Sequence, residues 1–136
     1  KIDLIDFNIR KLRLSNISAF SHDATENYDK VYDKILVDAP CSGLGVLRHK
    51  PEIKYEQSQH AIESLVEIQL EILNNVKYNV KPGGTIVYST CTIEQMENEN
   101  VIYTFLKRHK VFKIIPSLLL SLLYISFLFP RSNHHS

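Results

Sequence analysis

Two short apolar runs, each stopping at a polar turn that carries a cysteine, are separated by one long amphipathic stretch. This arrangement constrains the chain more than any other feature. Residues 34–37, Lys-Ile-Leu-Val, stop at Asp38-Ala-Pro-Cys-Ser-Gly43, and residues 85–88, Thr-Ile-Val-Tyr, stop at Ser89-Thr-Cys91. Apolar residues at consecutive positions suit a strand covered on both faces, as in a parallel sheet. From 58 to 80, Ile62, Leu65, Val66, Ile72, Leu73, Val76 and Val80 recur at helical spacing, and Gln69 interrupts the stripe. Strand, helix and strand in this order predict a right-handed crossover, and hence an α/β fold of parallel strands with flanking helices.

The remaining segments extend that pattern. Ile2, Ile5, Ile9 and Leu12 predict an amphipathic helix entering a core. Residues 17–20, Ile-Ser-Ala-Phe, predict a short strand ending at Ser21-His-Asp23. Lys81-Pro-Gly-Gly84 is expected to end the central helix and turn the chain. Residues 94–110 predict a second long helix, with Val101, Ile102, Phe105 and Leu106 facing inward. Residues 117–129, SLLLSLLYISFLF, carry no charge. As a helix they would reach about 20 Å at roughly 1.5 Å per residue, short of a hydrocarbon core about 30 Å thick. No membrane partner is therefore expected.

Charge excludes a strongly basic nucleic-acid tail: 16 Lys and Arg against 15 Asp and Glu leave a net charge of +1. An anionic partner has to be met by a local patch. The two cysteines, Cys41 and Cys91, form no C-x-x-C pair and the histidines are scattered, so no metal site is expected. Free thiols in a cytoplasmic protein are the default. The first residue is Lys and the only methionine is Met96, so the chain reads as a piece of a longer protein.

In open α/β sheets ligands bind beyond the carboxyl ends of the strands. Both cysteine turns fall at such ends, one crossover apart. Two thiols and the Asp38 carboxylate are therefore expected on one rim. Taken singly, each cysteine reads first as a small buried hydrophobe; its place in a polar turn just past a strand favours a functional role. Asp38, directly after three apolar residues, is costly unless it meets water, a partner or a ligand.

These residues carry a resemblance. Val37-Asp-Ala-Pro-Cys-Ser-Gly-Leu-Gly45 resembles the fourth motif of the RNA cytosine-C5 methyltransferases. Arg48-His-Lys-Pro-Glu-Ile-Lys-Tyr55 follows as in bacterial 16S rRNA enzymes of the RsmB/Sun type, and Lys81-Pro-Gly-Gly-Thr-Ile-Val-Tyr-Ser-Thr-Cys-Thr-Ile93 resembles the sixth motif with its strand. Glu97-Asn-Glu-Asn-Val101 is similar to the helix that follows. The resemblance runs from Lys1 to about Lys113 and implies a Rossmann-like methyltransferase fold dependent on S-adenosylmethionine, with RNA, expected to be 16S rRNA, as partner. By resemblance Cys91 is the attacking thiol and Cys41 assists release of the methylated RNA. Asp38 lines the cofactor and base pocket, and Asp23 contacts the adenine side of the cofactor, although an Asp in such a turn also reads as a simple cap. A thiolate adding to cytosine C6 makes C5 nucleophilic enough to take a methyl group, which is covalent catalysis. The base has to leave its stack to reach a thiol. Arg48, His49, Lys50 and Lys54 are candidates for phosphate contacts, or an ordinary solvated loop.

The resemblance is incomplete. The glycine-rich cofactor loop and the acidic residue that would hold the ribose are absent, and the family's last strands are expected to be missing. The expected organisation is a partial catalytic domain over residues 1–112 and an atypical apolar tail over 113–136, read as out of frame or truncated. The family's strand order, 3-2-1-4-5-7-6, would leave the 17–20 strand without a neighbour. The isolated piece is then expected to be poorly stable and aggregation-prone. An inactive remnant that at most binds RNA, a tRNA rather than rRNA enzyme, and a redox protein using Cys41 and Cys91 as a reversible disulfide stand as alternatives.

Overall fold

The computed structural model describes residues 1–42, 55–92, 94–115 and 124–130, with side chains described at all of these except 55–58, 115 and 124–130. The chain runs α1 (Ile2–Lys11), β1 (Tyr32–Asp38), α2 (Tyr55–Val76), β2 (Val80–Thr90), a 3-10 turn (Gln95–Glu97), α3 (Glu99–Arg108), β3 (Phe112–Ile115) and β4 (Tyr124–Pro130). The sheet order is β1-β2-β4-β3. The expected crossover is present, because β1 and β2 pair in parallel with α2 between them in sequence. β4 is antiparallel to both β2 and β3.

The core lies on the helix-covered face of the sheet. Val37, Ile86 and Tyr88 from the strands pack with Ile72 and Leu73 of α2 and with Val101, Ile102 and Phe105 of α3. Burial along β1 explains the sidedness: Val37 is buried and Ile35 half-buried, whereas Leu36 between them is 68 % exposed. Side chains alternate across a strand, so Leu36 belongs to the opposite face, which is not covered there.

Four expectations need correction. No strand forms over residues 17–20; they have no regular secondary structure, and Ile17 and Phe20 are exposed. A strand needs a neighbour for its backbone groups, and among the described residues none lies beside this segment in a sheet. The first helix forms but does not enter a core, because no residue of α1 is buried. The central helix ends at Val76, not at 80, through backbone bonds from Tyr78 to Asn75 and from Asn79 to Val76. Finally, the apolar tail does contribute the last strands. β4 takes up residues 124–130 and sits between β2 and β3, so the observed order corresponds to the 4-5-7-6 portion of the expected sheet. Among the described residues no helix is long and apolar enough to cross a membrane.

Lys81-Pro-Gly-Gly84 turns out to lie inside β2. The register jumps from Tyr32↔Val80 to Lys34↔Thr85, so the extra residues bulge out of the ladder. Pro82, which has no N–H to offer, falls in that bulge, and Gly83 has φ of 79°, a conformation that favours glycine. Gly84 is there for space. A Cβ on it would lie 2.7 Å from the Asp33 carbonyl oxygen, 2.8 Å from Val80 Cγ2 and 2.9 Å from the Lys81 carbonyl oxygen. Two of these neighbours are backbone and cannot swing aside. Gly84→Ala is expected to destabilise the chain by about 1–3 kcal/mol, the usual range for overpacking, read as a lower urea midpoint. An unchanged midpoint would show that the β1–β2 junction is looser than described.

Candidate active site at the strand ends

Parallel pairing positions the site. Asp38 and Ser89 are register partners at the ends of β1 and β2, and the Ala39 N–H extends the ladder by donating to the Ser89 carbonyl at 2.8 Å. The chain then leaves each strand, at Pro40 and after Thr90, and the two cysteines arrive on the same rim. The Cys91 N–H donates to Cys41 Sγ at 3.3 Å. Cys91 is exposed, Cys41 half-buried and Asp38 exposed beside them. Neither thiol is oxidised.

Beneath the rim lies a polar cluster that sequence reading missed. Glu97 is fully buried, and its carboxylate accepts the Ser42 N–H at 2.8 Å, the Ser42 hydroxyl at 2.6 Å and the Gln69 amide at 3.2 Å. Burying a carboxylate costs several kcal/mol unless donors replace water, and these three donors do so. Gln69 also donates to the Pro40 carbonyl at 2.7 Å. The Ser42 and Thr92 hydroxyls are 3.3 Å apart. Asn98 receives the Thr90 hydroxyl and donates to the Thr92 carbonyl at 2.9 Å. Tyr88 donates to the Glu97 carbonyl at 3.0 Å from the core side. One signal in the sequence pointed here: Gln69 breaks an apolar stripe, and a polar residue on a buried helix face requires a buried partner.

Asp23 is placed elsewhere. Its Oδ1 accepts the Thr25 N–H at 2.9 Å and the Thr25 hydroxyl at 2.7 Å, closing a local turn. These bonds, the backbone one foremost, hold its carboxyl below the usual aspartate range. The Thr25 carbonyl is bound by Asn75 near the end of α2, and Phe20, His22 and Tyr28 line a cavity of about 190 Å³ with Tyr32 and Ile35 of β1. The segment carrying Asp23 thus lies against the first half of β1, away from the cysteine rim. Arg48, His49, Lys50 and Lys54 lie outside the described residues.

Proximity has an electrostatic consequence. The Cys91 thiol is raised above its ordinary pKa, first by its hydrogen bond with Cys41, then by burial and the neighbouring Cys41 and Asp38 charges. Cys91 therefore rests as the neutral thiol at pH 7, and its reactivity climbs as pH passes above the ordinary thiol range. Alkylation of Cys91 by iodoacetamide, followed by peptide mass spectrometry, should show this high midpoint. Cys41→Ala should lower it, and an unchanged profile would mean that the two thiols do not interact.

The comparisons with known proteins agree with this geometry. Residues 1–126 match the family described as 16S rRNA methyltransferase RsmB/F. The chain is 44 % identical over 117 residues to a probable ribosomal RNA small subunit methyltransferase B from Bacillus subtilis, covering 83 % of this chain and 26 % of that protein. It is 39 % identical over 121 residues to ribosomal RNA small subunit methyltransferase B from Shewanella oneidensis, covering 79 % and 28 %. The chain thus spans about a quarter of the length of these relatives. Among solved structures it superposes on PH0851 with a TM-score of 0.77 and 27 % identity, over 93 % of this chain and 33 % of that one. It also superposes on NSun6 from Pyrococcus horikoshii with SFG, with a TM-score of 0.73 and 24 % identity over 95 % and 38 %, a likeness of fold. With the family's description matched over nearly the whole chain, the chain belongs to the 16S rRNA methyltransferase RsmB/F family.

Proposed function

We propose that this chain is the nucleophile-bearing part of an RNA (cytosine-5)-methyltransferase acting on 16S rRNA. The observation that carries the reading is the Cys91 N–H bonded to Cys41 Sγ at 3.3 Å, which sets two thiols at one strand-end rim beside a carboxylate. In this reading Cys91, the exposed thiol, gives its proton to water at the open rim and its sulfur lone pair forms a bond to C6 of an extruded cytosine. The C5–C6 π electrons move to C5, which becomes the nucleophile for the methyl group. Transfer of the C5 proton to water at the rim then re-forms the C5–C6 double bond as the C6–sulfur bond breaks, and the Cys91 sulfur leaves with its electron pair. Cys41, half-buried and in contact, assists that release by exchanging a proton at the rim. Asp38 faces the same space, where its carboxyl group can bond the cytosine edge.

S-adenosylmethionine, when bound, supplies the methyl group. The described residues fit the base side of the reaction and do not by themselves fit the cofactor: Asp38 is on the rim, whereas Asp23, its Oδ1 bonded to Thr25, is carried by the segment beside the first half of β1. This placement supports a second reading, a remnant that binds RNA without turnover. Calorimetry separates the two for the chain as it stands: heat of S-adenosylmethionine binding favours the enzyme, and its absence favours the remnant.

The chemical step is tested in a hybrid carrying a relative's glycine-rich cofactor loop ahead of residue 1, assayed for methyl transfer to unmodified 16S rRNA. Cys91→Ser is expected to reduce turnover by at least about a thousandfold, as loss of a nucleophile does. Cys41→Ser should instead accumulate a covalent protein–RNA adduct, visible as a slow-migrating band. Turnover retained in Cys91→Ser would overturn the assignment.

A further inference from the structure

We propose that Glu97 is the positioning residue that holds the Cys41 turn over Cys91, a claim that rests on the two-thiol reading above. Its carboxylate binds the first cysteine turn directly and the second turn through Ser42 and the neighbouring Asn98. From the first turn, Ser42, the residue after Cys41, presents its N–H to one carboxylate oxygen and its hydroxyl to the other, at 2.8 and 2.6 Å. Two bonds from one residue fix that residue's orientation as well as its distance, and Cys41 is covalently next to it. From the second turn, Thr92, the residue after Cys91, places its hydroxyl 3.3 Å from the Ser42 hydroxyl. Asn98, adjacent to Glu97, holds the Thr92 carbonyl at 2.9 Å. Gln69 ties the same carboxylate to Pro40, so the first turn is gripped on both sides of Cys41.

A role confined to core stability would not require this pattern. An apolar residue at a buried site is often as stabilising as a paired polar one. What the carboxylate supplies is two acceptor oxygens in a fixed plane, which matches the two donors of Ser42. The amide of Gln retains one such acceptor, and its NH2 can donate to a reoriented Ser42 hydroxyl. Ala removes the acceptor that two donors of Ser42 and the Gln69 amide share, leaving Gln69 its bond to Pro40.

The test measures how strongly the two thiols are held together, in the full 136-residue chain, with neither RNA nor methyl donor present. Glutathione disulfide is the oxidant. Cys91 attacks it and releases one glutathione, then Cys41 attacks the mixed disulfide and releases the second, so two protein thiols are oxidised as one glutathione disulfide is reduced. The equilibrium gives the effective concentration of one thiol at the other. Glu97→Ala is expected to lower it about tenfold or more, Ser42→Ala about threefold, and Glu97→Gln by less than about threefold. Phe105→Leu, in the core of α3 but outside the cluster, should lower the thermal midpoint and leave the effective concentration unchanged. If Glu97→Ala does not fold by circular dichroism, Ser42→Ala against Phe105→Leu decides. The proposal is overturned if the wild-type chain forms no internal disulfide, if neither cluster variant lowers the effective concentration, or if Phe105→Leu lowers it equally. Because no substrate enters the measurement, its failure leaves the methyl-transfer reading to the hybrid assay, and failure of that assay leaves the positioning claim standing.

Discussion

The parallel ladder between β1 and β2 is the constraint on which the site depends. Two strands running in the same direction and in register end at the same level, so whatever follows each strand arrives beside whatever follows the other. Here the ladder runs from Lys34↔Thr85 to Asp38↔Ser89, and the next residues are a proline on one side and a cysteine turn on both. A crossover helix is needed to return the chain to the starting end, and α2 does this while covering Val37, Ile86 and Tyr88. The same element that makes the sheet parallel thus buries its core and reaches up with Gln69 to hold Pro40.

The rim is polar above and below, for different reasons. Above, Cys91 and Asp38 meet solvent and are available to a ligand. Below, Glu97, Gln69, Ser42, Thr92 and Asn98 bond to one another in a buried to half-buried cluster, in which Gln69 Oε1 is left without a partner. Such a network is rigid because each bond, if broken, leaves a buried group without a partner. Rigidity is what two thiols require if they are to act on a single base, since a shift of one ångström costs catalysis heavily.

The opposite side of the molecule is far less constrained. α1 buries none of its residues, and Leu4, Phe7 and Leu12 are exposed. β1 has no strand on its outer edge among the described residues, and Leu36 faces outward from the same place. Exposed apolar residues beside an open strand edge are the conditions for association. The part of the chain that holds the thiols is well packed, and the part preceding β1 is held mainly by side-chain bonds from Asn75 and Asn79 to backbone carbonyls.

Local pattern was sufficient for α2, α3 and the paired strands, because each has a strong apolar period and a polar or glycine-rich stop. It was also sufficient to place the two cysteine turns, since a polar turn after an apolar run marks where the strand stops. It failed wherever the outcome depended on a neighbour distant in sequence. Residues 17–20 have strand composition but no partner, so no strand forms. Residues 124–130 resembled an unattached apolar tail, yet they form a strand because β2 and β3 pair with them. Lys81-Pro-Gly-Gly84 reads as a turn, yet it is a bulge, because β1 pairs on both sides of it. Glu97 looks like one acid among several in a charged run. Only the meeting of Ser42 and Gln69, 55 and 28 residues away along the chain, makes it the buried centre of the site. Sequence by itself determined which residues are candidates for the chemistry, because residue type and local period are local properties; tertiary structure decided which of them share a rim and what holds them there, because those are contacts between segments that no local pattern records.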